Sequence, residues 1–146
     1  MIILGVLLLL LFICSITVIN DVSLSSYIEV NGLIIILGSI IAILLSTGFF
    51  KAFVNGLKVL FIKDFALTED EKKDCITIYS LLVKTTLIGG ILGVLVGILI
   101  ILAKLGGQER IGPPIGLSIL SLFYGLICSY FIFLPAKIRI EKSRVK

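Results

Sequence analysis

The sequence predicts an all-α integral membrane protein, with four transmembrane helices and two helices that extend into the cytoplasm. Three observations carry that prediction. Mean hydropathy is +1.25, with 59% hydrophobic and 15% charged residues, against about 45–50% apolar and about 25% charged in soluble domains. Four apolar runs carry no charge and approach the roughly 20 residues that a helix needs to cross a bilayer core. Eleven of the thirteen basic residues then fall on one side of the membrane those runs define.

The first span is expected over about 2–19. No basic residue precedes it and no small-x-small cleavage site follows, so it reads as a retained span and not as a signal peptide. Ile13, in front of Cys14, also lacks the small side chain of a lipoprotein site. The second span is expected over about 33–50, the third over about 85–103 and the fourth over about 115–134. Asp21 and Glu29 lie between spans one and two, with no Lys or Arg. Lys51, Lys58, Lys63, Lys72, Lys73 and Lys84 lie between spans two and three, and Lys137, Arg139, Lys142, Arg144 and Lys146 follow span four. Only Lys104 and Arg110 fall between spans three and four. The positive-inside rule puts the basic side, and with it both termini, in the cytoplasm. Topology and lipid headgroups account for the net charge of +4, and no nucleic-acid partner is needed.

Outside the membrane the sequence predicts short polar loops at 20–32 and 106–114, a helical stalk over about 51–84, and a basic tail over 136–146. Phe50, Phe53, Leu57, Leu60 and Phe61 recur at helical spacing, with Lys51, Asn55 and Lys58 largely opposite. Helix two is therefore expected to continue past the membrane. Thr68 followed by Glu71 forms a capping box, with Glu69 and Asp70 favouring a helix N-terminus. A helix starting there would carry Ile76, Tyr79, Leu82 and Val83 straight into span three. At 1.5 Å per residue it would be about 50 Å long, beyond a bilayer core of about 30 Å. The charged run 69–74 is read as its solvated face.

With no His and no Trp, the chain lacks the commonest metal ligand and acid–base catalyst. Cys14, Cys75 and Cys128 are too few and too dispersed for a disulfide framework or a zinc site. No metal, cofactor or catalytic residue is expected, and no enzyme activity. The signals in the spans are small residues and prolines. Gly89, Gly93 and Gly97 stand four apart on one face of span three, with Gly90 beside them, a stripe that admits close helix approach. Span four carries Ser118, Ser121, Tyr124, Gly125 and Ser129. Pro113 and Pro114 suit its start, where a missing N–H costs nothing. Pro135, near its other end, should bend or loosen the helix and free a carbonyl. No Asp, Glu, Lys or Arg lies inside any span, so any protonation chemistry in the membrane needs a carboxylate from another chain.

Ile88-Gly89-Gly90-Ile91-Leu92-Gly93, Ile111-Gly112-Pro113-Pro114, Leu120-Ser121-Leu122-Phe123-Tyr124-Gly125 and Phe133-Leu134-Pro135 together resemble the MotA branch of the MotA/TolQ/ExbB proton-channel family. Tyr27-Ile28-Glu29-Val30 through Leu37-Gly38-Ser39-Ile40 resembles the start of that branch's second span less closely. The resemblance runs in order over nearly the whole chain. It implies a homo-pentameric ring in the bacterial inner membrane, around a dimer of single-span partners of the MotB/ExbD type. Each partner helix would supply an intramembrane Asp. Spans three and four would line the inner wall, so that Gly89, Gly90, Gly93, Gly97, Ser118, Ser121, Leu122, Tyr124 and Gly125 would border the ion path. Pro113 and Pro135 would act in coupling.

Gly90 and Leu122 stand where sodium-driven relatives carry threonines. Their lack of hydroxyls points to H+ over Na+, with Ser121 keeping one hydroxyl next door. Pro114 replaces a small residue common in the family. The main departure is the loop at 51–84, where flagellar members insert a far larger rotor-facing domain. The implied protein is a minimal stator-type motor subunit that converts ion motive force into mechanical work. The alternative from another class is a small four-helix membrane protein with a structural or assembly role and no conductance.

Overall fold

A computed structural model of the chain describes residues 2–19, 30–62, 65–103 and 112–145. The expected outer loops fall largely outside the described residues, as do Asp21, Glu29, Lys63, Lys104, Arg110 and Lys146. The described chain is helical: α1 (Ile2–Ile19), α2 (Val30–Thr47), α3 (Phe50–Phe61), α4 (Glu69–Ala103) and α5 (Gly112–Leu126). From α5 a π-helical segment (Ile127–Phe133) leads without a break into α6 (Leu134–Glu141). Among the described residues three helices are long and apolar enough to cross a membrane: α2, α4 and the rod of α5, π segment and α6 over Ser118–Glu141. That is the make-up of a helical membrane protein. The expected first span forms α1, uncharged throughout, which packs mainly on the π segment.

The central element is α4. Its capping box forms: the Thr68 amide donates to Glu71 Oε2 at 3.2 Å, and the Glu71 amide donates to Thr68 Oγ1 at 3.4 Å. From there it runs unbroken for 35 residues, the single long helix the sequence predicts. Its two halves meet different surroundings. In the first half Cys75, Ile78, Tyr79 and Leu82 are buried beside Ala52, Val59, Phe133, Ala136 and Ile140 in one cluster. In the second half Leu95, Leu99 and Leu102 are more than half exposed. Apolar side chains that open to the outside over several turns belong against lipid.

Three expectations need correction. Helix two does not continue past the membrane. It stops at Thr47, and Gly48 takes φ +69° while its amide bonds the Leu44 carbonyl at 3.1 Å. This is a left-handed helix stop, which glycine adopts without a Cβ penalty, so the span lies at 30–47 and α3 is a separate helix. The packed face of α3 also differs. Phe53 and Leu60 do pack on the core, but Phe50 and Phe61 face outward, and Ala52, Asn55, Gly56 and Val59 are buried. Small residues win because α3 lies close on α4: a Cβ at Gly56 would overlap the Tyr79 ring. Finally, the tail is not a free basic segment. Through Glu141 it is α6, burying Ala136 and Ile140. Beyond that, Lys72 Nζ donates to the Ser143 carbonyl at 2.8 Å and Val145 bridges Leu67.

Tyr79 organises this end of the molecule. Its ring stacks on Phe53 at 6.0 Å and meets the edge of Phe133 at 6.2 Å, and its hydroxyl donates to the Phe53 carbonyl at 3.3 Å. One turn earlier the Cys75 thiol donates to the Ala52 carbonyl at 3.2 Å. Burial, helped by Asp74 and Glu71, pushes that thiol up to about 11. Only about a thousandth of it is then thiolate at pH 8, against about a tenth of an ordinary thiol. Cys75 should therefore react with N-ethylmaleimide at pH 8 about 100-fold slower in the folded protein than after unfolding. Equal rates would mean that α3 does not cover it.

Candidate functional site

The residues marked out in spans three and four do come together, and they do so within one chain. The two motif segments run antiparallel and meet backbone to backbone. A Cβ built on Gly90 would lie 3.1 Å from Leu122 Cα and 3.0 Å from the Ser121 carbonyl oxygen. One on Gly125 would lie 2.6 Å from the Thr86 carbonyl oxygen and 3.0 Å from Gly90 Cα. Gly93 meets the Ser121 side chain, Gly97 meets Ser118, and Gly89 faces Ser39 of α2. Each missing Cβ is thus replaced by an atom of α2, α4 or α5 from the same chain. The stripe is a packing seam, which is what a small-xxx-small face does in a membrane.

Within the chain the stripe of Gly89, Gly90, Gly93 and Gly97 thus packs on α2 and α5. What α4 and α5 leave open there is aliphatic: Ile91, Leu95 and Ile98 on one, Ile119 and Leu126 on the other. Leu122 and Tyr124 are half-buried beside the seam, and the Tyr124 ring lies 6.3 Å from that of Phe123.

Several hydroxyls along the seam bond backbone carbonyls. Thr86 Oγ1 donates to the Leu82 carbonyl at 2.8 Å, and Ser39 Oγ to that of Ile35 at 2.7 Å. Ser129 reaches across, donating to the Val83 carbonyl at 2.8 Å. That bond ties the π segment to α4 just where the widened turn would otherwise loosen the contact. At the other end of the seam, α2, α4 and α5 part to leave a cleft of about 180 Å³, lined by Asn31, Ile35, Gly93, Gly97, Ser118 and Ser121, among others. Four of the expected site residues line it. Asn31, from α2, was missed because its position in a single apolar helix gives no hint of its neighbours.

The two prolines are not brought together. Pro113 occupies the first turn of α5 and Pro135 the first turn of α6, at opposite ends of the rod. Around Pro135 the helix is loosened as its chemistry predicts. The Leu134 amide reaches back five residues to the Ser129 carbonyl, in a π segment seven residues long, unusual for an element seen mostly as single-turn bulges.

Among the described residues no group of His, Cys, Asp and Glu is placed to hold a metal. Compared with known proteins, the chain matches no family model, no characterised protein and no solved structure.

Proposed function

We propose that this chain is the ring-forming subunit of an ion-driven membrane motor of the MotA/TolQ/ExbB kind. Five copies, each with α1 as a fourth span, surround a dimer of MotB/ExbD-like single-span proteins in the bacterial cytoplasmic membrane. Both termini face the cytoplasm, the side toward which the basic residues gather. Protons carried on the partner's aspartate drive the turning.

One observation supports this above the others. The resemblance places Gly90 and Leu122 on either side of one ion path, although 31 positions separate them in the sequence. Such residues should be neighbours in space, and a Cβ built on Gly90 would lie 3.1 Å from Leu122 Cα. The absence of Asp, Glu, Lys and Arg from the spans fits a carboxylate delivered by the partner. The aliphatic face that α4 and α5 leave open suits a surface sliding past another helix, since it offers no hydrogen bonds to break.

One finding favours the alternative of a small structural or assembly protein: the glycine stripe is consumed within the chain, so tight packing alone would explain it. The native mass of the complex extracted gently from its own membrane separates the two. Five copies with two of a single-span protein bearing an intramembrane Asp is the expected result. A stable species of this chain alone, with no such protein bound, would overturn the motor.

A further inference from the structure

At the other end of α2, where Gly48 turns the chain into α3, lies a second cleft of about 310 Å³. Its lining is polar and comes from three helices: Thr47, Lys51, Asn55, Glu71 and Asp74, with the backbone at Gly48 and Phe49. Asn55 is 7% exposed, so more than nine-tenths of it is buried. No hydrogen bond among the described residues reaches its carboxamide, although no fully enclosed polar atom is left unsatisfied. Its polar atoms therefore face the open cleft. A buried amide without a protein partner is costly unless water or a ligand satisfies it, and the space holds several waters or a hydrated ion.

The charges decide the sign of that ligand. Lys51, Glu71 and Asp74 sum to one net negative charge at the cleft. Glu71 also accepts the Thr68 amide in the capping box, and Thr47 donates its hydroxyl to the Ile43 carbonyl at 2.7 Å, which leaves its oxygen free to accept. The remaining groups are mainly oxygen acceptors, suited to a hard cation. With two carboxylates and an ammonium present, they fall short of the charge and ligand number a divalent ion needs.

We propose that this cleft is a water-filled vestibule that concentrates small monovalent cations beside Asn55. The proposal goes beyond the motor reading and does not depend on it, because the cleft is built by one chain. The probe is a small cation itself. Asn55→Cys is made in a background where Cys14, Cys75 and Cys128 are alanine, and the purified protein is treated at low salt with two methanethiosulfonates, one bearing trimethylammonium and one sulfonate. Despite its burial, position 55 should react. After correction for each reagent's rate with a free thiol, the cationic reagent should be about tenfold faster, the bias one net negative charge about 6 Å away in water imposes on probes of opposite sign.

Asp74→Asn should bring the ratio close to one, and so should 1 M salt, where the screening length is about 3 Å. Thr47→Cys, on the same wall, repeats the test if the first variant fails to fold. Silence of both reporters in folded protein would overturn the vestibule. So would an anionic reagent that is equally fast or faster, which would mean that Lys51 itself fills the site. A chain found alone in the membrane would end the motor reading and leave this ratio unchanged.

Discussion

Replacing Gly125 by leucine should drive α5 off α4 and abolish function while the chain still inserts. Even an alanine there would put its Cβ 2.6 Å from the Thr86 carbonyl oxygen and 3.0 Å from Gly90 Cα. Both are backbone atoms in the middle of long helices, so no side chain can swing away and the helices must separate. Overpacking by a methyl group typically costs about 1–3 kcal/mol, and leucine adds three more carbons at the same point. Gly93→Leu should fail in the same way, since its Cβ would sit 2.5 Å from that of Ser121. The loss of function would then come with loss of packing inside the subunit. Gly38→Ala is the control: nothing lies within 4 Å of a Cβ there, and in a helix the change should be neutral or stabilise by up to about 1 kcal/mol. Thermal unfolding in detergent, measured beside insertion, distinguishes these outcomes. If Gly125→Leu melts with the parent, the α4–α5 contact is not where the structure puts it.

The seam also shows how far a sequence can be read. That Gly89, Gly90, Gly93 and Gly97 invite another helix is legible, because a missing Cβ at fixed helical spacing has one use in a membrane. Which helix accepts the invitation is not, and the answer here lies within the same chain. Helix α4 was legible in full, since its start is a local motif, Thr68 to Glu71, and nothing in the next 32 residues breaks a helix.

The stop at Gly48 was legible too. A glycine just after an apolar run is a helix-end signal, outweighed by the phenylalanines that follow at helical spacing. Those same phenylalanines misled the assignment of the α3 face. Phe53 does stack on Tyr79, but Phe50 and Phe61 turn outward, while Ala52 and Gly56 let α3 lie close on α4. Asn55 is carried inward between Ala52 and Gly56. No pattern in the sequence announces a polar residue placed that way.

Pro135→Ala tests what holds the π segment open. The buried positions along the rod are Ser118, Ser121, Gly125, Ser129, Phe133, Ala136 and Ile140, and between Ser121 and Phe133 they fall at three successive steps of four. In an α-helix each such step overshoots a full turn by about 40°. Three of them would carry Phe133 about a third of the way round, away from Tyr79. The wider π turn takes up that drift, so the same face of the rod follows α4 from Gly97 down to Cys75. Proline favours the arrangement locally, since it has no N–H to give the Phe131 carbonyl and its ring would clash there in an α-helix.

With alanine, that hydrogen bond becomes available. The segment is then expected to tighten to α, turning Phe133, Ala136 and Ile140 out of the Tyr79 cluster. Amide exchange across Leu134–Glu141 should quicken by at least about tenfold, and under the proposed motor function coupling should fall further than expression. Unchanged exchange would assign the π segment to the tertiary contacts, Ser129 on Val83 and Phe133 on Tyr79. Ser129→Ala would then be the substitution that collapses it, and Pro135 would be structural only at the start of α6.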